Sequence, residues 1–327
     1  MDEPAEIPWD GSLEGLFAAL DDAYRTGTMP GRPYQAPPAD DAVTPGGIAG
    51  GAVQPELFAD PGSPPVRGGN RGEGRRRCSP EGRPFLTGEP AALFPDLRGS
   101  VSAALLLELS AAAFDGFIFA WMSELPVEGE ILRFGWKVLA AARGTAACGT
   151  AAAGNAPAAD TPIPPAEPWA ACPGARREAE RAASDRGDPD VRAVLAAACK
   201  VDREIERLKG FLRFTPVGGG EDGLYLARCS PDHHVLPALA EHFTLRFGTR
   251  DWAVVDERRG IALLRRSEGA ARLVPASLFG QPGPAADGYE GLWRHYHRTI
   301  NNESRSNPAL QRQCMPRRYW KYLSELR

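Results

Sequence analysis

Residues 188–266, DPDVRAVLAAACKVDREIERLKGFLRFTPVGGGEDGLYLARCSPDHHVLPALAEHFTLRFGTRDWAVVDERRGIALLRR, carry the pattern that decides the fold. Asp188 can accept from the free amides of a first helical turn, and Pro189 behind it has no amide to leave unpaired. Val191, Val194, Leu195, Ala198, Val201, Ile205 and Leu208 recur at helical spacing before Gly210, so the pattern predicts one long helix with a single apolar face. FLRFTPV and LYLARC flank the Gly-rich turn GGGEDG as a β-hairpin. VLPALAEHFTLRF is helical again, and because proline is tolerated only in a first turn, Pro237 puts the helix start near His234. Asp232 and His233 then fall in the strand-to-helix connection. DWAVVD and IALLRR are strands around the turn ERRG, and ARLVPAS adds a further extended segment. Beyond them YEGLWRHYHRTI, NPALQRQ and PRRYWKYLSEL read as three helices, the last two opened by Asn307-Pro308 and Pro316. Residues 188–327 are therefore expected to form an α+β domain, a small, mainly antiparallel sheet packed with helices.

Upstream the pattern is weaker. The chain has 327 residues with 36 Gly and 31 Pro, above average usage of roughly 7% and 5%. Such stretches bury too little apolar surface to offset their ordering entropy, which argues for folded parts with disordered joins. Residues 1–30 read as an extended piece turning at Asp10 and Gly11 into a helix capped by Ser12, with Leu13, Leu16, Phe17 and Leu20 on one face. Residues 31–84 read as a Pro/Gly-rich linker, including the basic triplet Arg75–Arg77 and a small apolar island around Leu57. Residues 85–143 hold two helices, Ser100 to Trp121 and Glu130 to Arg143, joined at Leu125-Pro126; residues 144–187 read as a second low-complexity linker.

The opening MDEPAEIPWD is acidic where a signal peptide is basic and then apolar. The most apolar run is interrupted by Glu108 and Asp115, short of a membrane span. Six cysteines lie at least 24 residues apart, with no CxxC and no Cys/His cluster at zinc spacing. A cytoplasmic chain with free thiols, no structural metal and no bound cofactor is the expectation.

Net charge is −4, but it is divided unevenly. Residues 1–202 hold 18 basic against 28 acidic residues and residues 203–327 hold 20 against 14, and the last 37 residues alone carry eight basic against two acidic. That segment interleaves Trp293, Tyr296, Tyr319, Trp320 and Tyr322 with Arg and Lys, a mixture suited to neutralising phosphate and stacking on bases. Aromatics at helical spacing also form core, so half of these rings are expected to be buried, with Trp252 and Trp293 assigned to the core. Arg213, Arg258, Arg305, Gln311, Arg317 and Arg318 are the candidate nucleic-acid contacts.

Two constellations carry acid/base chemistry in principle. In PDHHVLP, Asp232 beside His233 and His234 at a helix start can tune a base near neutral pH, or equally cap the helix while the imidazoles pack. In WAVVDERRG, Asp256 and Glu257 adjoin Arg258 and Arg259 at a hairpin tip, which a charged turn explains without function. Asp232, His233 and Asp256 are the candidate catalytic residues, with Arg213 to converge on them. His295 and His297 point to different sides of their helix. No HExxH, Walker loop, GxSxG or GxGxxG is present.

Taken together, WDGSLEGLFAALDDAY, MSELP, VDREIERLKGFLRF, LYLARCSPDHHVLPALAEHF, RDWAVVDERRGIALL, LWRHYHRTI and RSNPALQRQCMPRRYWKYLSEL resemble a bacterial family described as probable DNA metabolism proteins. The resemblance covers both ends of the chain in order and is most specific in the C-terminal domain of unknown function. Members are encoded beside a radical-SAM protein similar to spore photoproduct lyase, and the same domain occurs fused to a uracil-DNA glycosylase-like domain. The chain departs from the family at NNES before Arg305, where relatives carry a more apolar IAIE-like stretch, and in its two long low-complexity insertions. With no CxxxCxxC it is not itself the radical-SAM enzyme. The resemblance implies an accessory protein of DNA metabolism or repair that binds DNA, docks on the radical-SAM partner, or both. Two alternatives are an enzyme acting on a nucleic-acid base or phosphodiester and a structural adaptor without nucleic-acid contact.

Overall fold

Asp188 opens its helix as the spacing predicts: in the computed structural model its carboxylate accepts from the amides of Asp190, at 2.8 Å, and Val191, at 3.3 Å. The structure describes residues 7–31, 33–35, 97, 99–149, 170, 172–217, 223–266, 269–280 and 288–326. The Arg75–Arg77 triplet, the island around Leu57 and residues 150–169 of the second low-complexity stretch lie outside these.

In chain order the elements are β1 (Ile7–Trp9), α1 (Leu13–Thr26), β2 (Pro33–Gln35), α2 (Val101–Leu109), α3 (Ala111–Met122), α4 (Glu128–Gly149), α5 (Pro173–Ser184) and α6 (Pro189–Phe211). There follow β3 (Thr215–Val217), β4 (Leu224–Cys229), α7 (Leu236–Phe247), β5 (Trp252–Asp256), β6 (Ile261–Arg265), β7 (Arg272–Pro275), α8 (Gly288–Ile300) and α9 (Pro308–Cys314). The class is α+β: a helical N-terminal part, and a C-terminal five-stranded sheet in the order β3-β4-β5-β6-β7 with helices. Every strand pairing in it is antiparallel except β4 with β5, which α7 connects as a crossover. β1 and β2 form a separate parallel pair.

Four local features differ from the sequence pattern. The apolar run from Ser100 breaks at Ser110, whose backbone is extended (φ −157°, ψ 101°) and whose hydroxyl accepts from the amide of Ala113. Serine competes for backbone amides in this way and divides the run into α2 and α3. Residues 173–184, inside a span with linker composition, are helical because Ala175, Ala179 and Ala183 form a buried face four residues apart. The segment after Pro316 winds as short 3₁₀ turns, Arg317–Tyr322 and Ser324–Leu326, instead of an α-helix. Finally, Cys172, Cys229 and Cys314 are free, but Cys199 on α6 is disulfide-bonded, against the expectation of free thiols throughout. Among the described residues no helix is long and apolar enough to cross a membrane.

One apolar cluster runs through the molecule. α3 packs on α6, α4 on α5 and α1, and α7 on β5 and β6. Phe17 and Phe117 stack at 4.5 Å where α1 meets α3. β5 and β6 are buried along their whole length, as a sheet covered on both faces requires. The parallel pairing sets Cys229 opposite Asp256, so the carboxyl ends of β4 and β5 lie side by side. The loop leaving β4 and the turn after β5 thereby share one edge of the sheet.

Gly135 on α4 marks the tightest helix contact. A Cβ there would sit 2.8 Å from Leu20 Cδ2 and 3.0 Å from the Phe117 ring. Overpacking costs about 1–3 kcal/mol, against a helix-propensity gain of about 1 kcal/mol for Gly→Ala. The Leu20 methyl can yield, whereas the ring is held in its stack. Gly135→Ala is therefore expected to lower unfolding free energy by about 1 kcal/mol in urea titration; a stabilised variant would show that the α1, α3 and α4 packing is looser than described.

Candidate functional site

Glu204 sits on the buried face of α6 between Val201 and Leu208 and is 2% exposed. A carboxylate there needs partners. Its Oε1 accepts from the Tyr319 hydroxyl at 2.5 Å, from Arg318 Nη2 at 3.1 Å and from the Asp232 amide at 3.0 Å, and its Oε2 accepts from the His233 amide at 2.8 Å. Burial pushes this carboxyl up, but the Tyr319 hydroxyl, the two amides and the nearby His233 outweigh it and hold the group below the ordinary glutamate range. The same arrangement pushes the Tyr319 hydroxyl up, first by burial and then by the carboxylate beside it. Arg318 also reaches the Asp232 carboxylate at 2.8 Å.

A second clamp holds the other side of the same loop. Arg259 pairs with Asp256 at 2.8 Å, grips Glu124 with two nitrogens at 2.8 and 2.5 Å, and donates to the carbonyls of Pro231 and Asp232. Arg258 Nη1 donates to the Asp232 carbonyl at 3.0 Å. Asp256 is fully buried and burial raises its carboxyl, with Arg259 and two amides opposing. Glu124, just past α3, is held at φ 53°, a left-handed conformation that costs a non-glycine residue energy and persists because the Arg259 fork fixes its side chain. His233 donates from Nδ1 to the Ser123 carbonyl at 2.8 Å, and the His234 amide donates to the Met122 carbonyl at 2.9 Å. The His234 ring is buried beside Trp121, and burial followed by Arg259 lowers its pKa to about 4, so it is neutral.

Between α6 and this loop lies a pocket of about 180 Å³ lined by Lys200, Arg203, Glu204, Arg207, Asp232, His233 and Arg318. Lys200, Arg203 and Arg207 stand at i, i+3 and i+7 and so share one face of α6. Among the described residues their side chains make no hydrogen bond or ion pair. The sequence pattern did not single them out, because the apolar face of the same helix dominates it; their signal is the basic spacing within KVDREIER.

The candidate residues from the sequence divide accordingly. Asp232, His233 and Arg318 meet at the pocket, with Arg258 tying the loop behind it. Asp256 is sealed beneath Arg259 and Arg213 pairs with Glu325 at 2.7 Å; neither lines the pocket. Arg305 faces a separate depression with His297 and Ile300, Gln311 is exposed on α9, and Arg317 lies over the Trp320 ring. Of the five C-terminal rings Tyr319 is buried, Trp320 and Tyr322 are half-buried, and Tyr296 is exposed. Trp293, expected in the core, is 39% exposed because α8 touches the body chiefly through the turn at Ser324–Leu326. Trp252 is buried as expected. Among the described residues no group of three or more His, Cys, Asp or Glu is arranged to hold a metal ion.

Residues 174–325 match the family model described as a domain of unknown function, DUF4130. No curated protein and no solved structure matches the chain. The match runs from the second residue of α5 to Glu325 and includes both clamps except for Glu124, Met122 and Ser123.

Replacing Glu204 tests the first clamp. Because its folded carboxyl is lowered, its contribution is fully present above the unfolded value near 4.3 and is lost as pH falls through the folded value. Glu204→Gln is expected to cost about 2 kcal/mol at pH 7, and the gap to the parent is expected to narrow below about pH 4. Equal offsets at pH 7 and pH 3 in urea unfolding would remove the charge from the account.

Proposed function

We propose that this chain is a DNA-binding accessory protein of DNA metabolism, with its contact surface centred on α6 and with the chemistry performed by a partner enzyme such as the radical-SAM protein implied by the family resemblance. The observation that supports the reading is the row Lys200, Arg203 and Arg207, three cations that make no side-chain hydrogen bond or ion pair among the described residues, opening onto a pocket whose acids are already occupied by Tyr319, Arg318 and backbone amides. Unpaired guanidinium and ammonium groups on one helix face suit backbone phosphates, which set affinity and register without reading sequence. At about 180 Å³ the pocket is below the range of roughly 300–1,000 Å³ typical of small-molecule sites. It suits a single phosphate group better than a whole nucleotide.

A second reading, an enzyme acting on a base or phosphodiester, has one observation in its favour. His233 is oriented by the Ser123 carbonyl and lines the pocket next to cations that would hold a phosphate. The proposed convergence of Asp256 and Arg213 on that histidine lends it nothing, since both are engaged elsewhere. Loss of strand cleavage or base release on His233→Ala would favour the enzyme; absence of either activity in the parent chain would leave the accessory role.

The test of the leading reading is DNA binding by fluorescence anisotropy over a salt series. Lys200→Ala, Arg203→Ala and Arg207→Ala together are expected to weaken binding at least tenfold and to flatten the salt dependence by about 0.9 log unit for each duplex phosphate that is no longer neutralised. Arg318 is a poorer probe, because its removal also uncovers the buried Glu204 carboxylate. A parent chain with no salt-sensitive DNA binding would overturn the proposal.

A further inference from the structure

α8 leaves an apolar and aromatic face without a covering element among the described residues. Leu292, Tyr296 and Ile300, four residues apart on one side of the helix, are 65%, 53% and 57% exposed, and Trp293 adjoins them. Side chains of this kind at that spacing normally face a core. Three observations indicate what this face receives. First, the rings are ordered as a row: the Arg213 guanidinium lies 5.5 Å from the Trp293 ring centroid, and Trp293 lies 5.7 Å from Tyr296 at 36°. The Trp293 indole N–H donates to Glu325, which also fixes Arg213, so the base of the row is anchored. Second, a cation stands at the end of this face: Arg305 lines a shallow depression together with Ile300, His297, Asn301 and Asn302. Third, Arg213 lies two residues beyond the end of α6, the helix that carries Lys200, Arg203 and Arg207. Lys200 and Arg207 are themselves about 10 Å apart along the helix axis, more than one phosphate's width.

We propose that α6 and α8 together take single-stranded DNA, with backbone phosphates along Lys200, Arg203 and Arg207 and an unpaired base on the exposed face of Tyr296, backed by Trp293 and Arg213. A duplex hides its base faces inside the stack and can use only the cationic part. A single strand uses both, because every base has a π-face and stacking is sequence-tolerant. The inference rests on the DNA-binding reading above and adds strandedness to it.

The experiment measures anisotropy of labelled oligothymidylate and of a duplex of the same length with the full chain, its Tyr296→Ala variant and its Tyr296→Phe variant. Tyr296 is exposed and makes no hydrogen bond among the described residues, so its removal does not threaten the fold; thermal unfolding checks this. The parent is expected to prefer the single strand. Tyr296→Ala should lose about 5- to 150-fold in affinity for it, the range of one stacked base, with duplex affinity within about twofold of the parent. Tyr296→Phe should retain the preference, since the ring and not the hydroxyl is used. Equal losses for both DNA forms, or none, would overturn the inference while leaving the phosphate-binding surface standing. Failure of the parent to bind either form would overturn the DNA-binding reading itself. Self-association of the parent that Tyr296→Ala abolishes, without change in single-strand affinity, would assign the face to a second copy of the chain and also overturn it.

Discussion

A carboxylate placed among Val201, Ile205 and Leu208 on the inner face of a helix is the constraint on which the C-terminal half depends. Glu204 cannot be left there alone, since an unpaired buried charge costs several kcal/mol. The groups that satisfy it come from two distant parts of the chain, the amides of residues 232 and 233 and the side chains of residues 318 and 319. Satisfying one oxygen pair therefore closes the chain on itself. It fixes the loop leaving β4 and ties down a C-terminal tail that has little helix of its own. It also leaves Asp232 and His233 beside the solvent-facing cations of α6, so the exposed pocket is a by-product of how a buried charge is neutralised.

The second constraint acts through Arg259. Its guanidinium joins a fully buried aspartate, an exposed glutamate in a left-handed backbone conformation and two loop carbonyls. Burial opposes its charge, yet Glu124 and Asp256 hold its pKa above the ordinary arginine value. Five donors in a planar fork suit this task, and a lysine could not make the same set of bonds. The hairpin tip DERRG is thus chiefly a structural tie, whatever the surface around it binds.

How much of this was legible in the sequence follows from the range of each interaction. Periodicity and caps are local, so the helix opened by Asp188 and Pro189, the Ser12 cap, the hairpin after Phe214 and the strands around Asp256 could all be read directly. The break at Ser110 was hidden because the apolar pattern continues through it and only backbone geometry reveals the cap. Helix α5 was hidden by alanine-rich composition, whose burial depends on α4. At the site, Asp232, His233 and Arg318 could be singled out by type, but their meeting point could not, because Glu204 reads as one more charge on an amphipathic helix. The pairing of Arg213 with Glu325 spans 112 residues and leaves no trace in spacing.

The hydrogen bonds at the end of α3 have a consequence for where such a domain can be cut. The carbonyls of Met122 and Ser123 belong to the last turn of a helix, where acceptors lack partners within the helix itself. They receive the His234 amide and the His233 ring, both inside the matched region that begins at residue 174. The region recognisable as a family is thus smaller than the unit that satisfies its own polar groups. A chain that carries it behind a different N-terminal neighbour inherits two donors in search of acceptors, and that neighbour has to present a helix end, or something of the same shape, at this edge of the sheet.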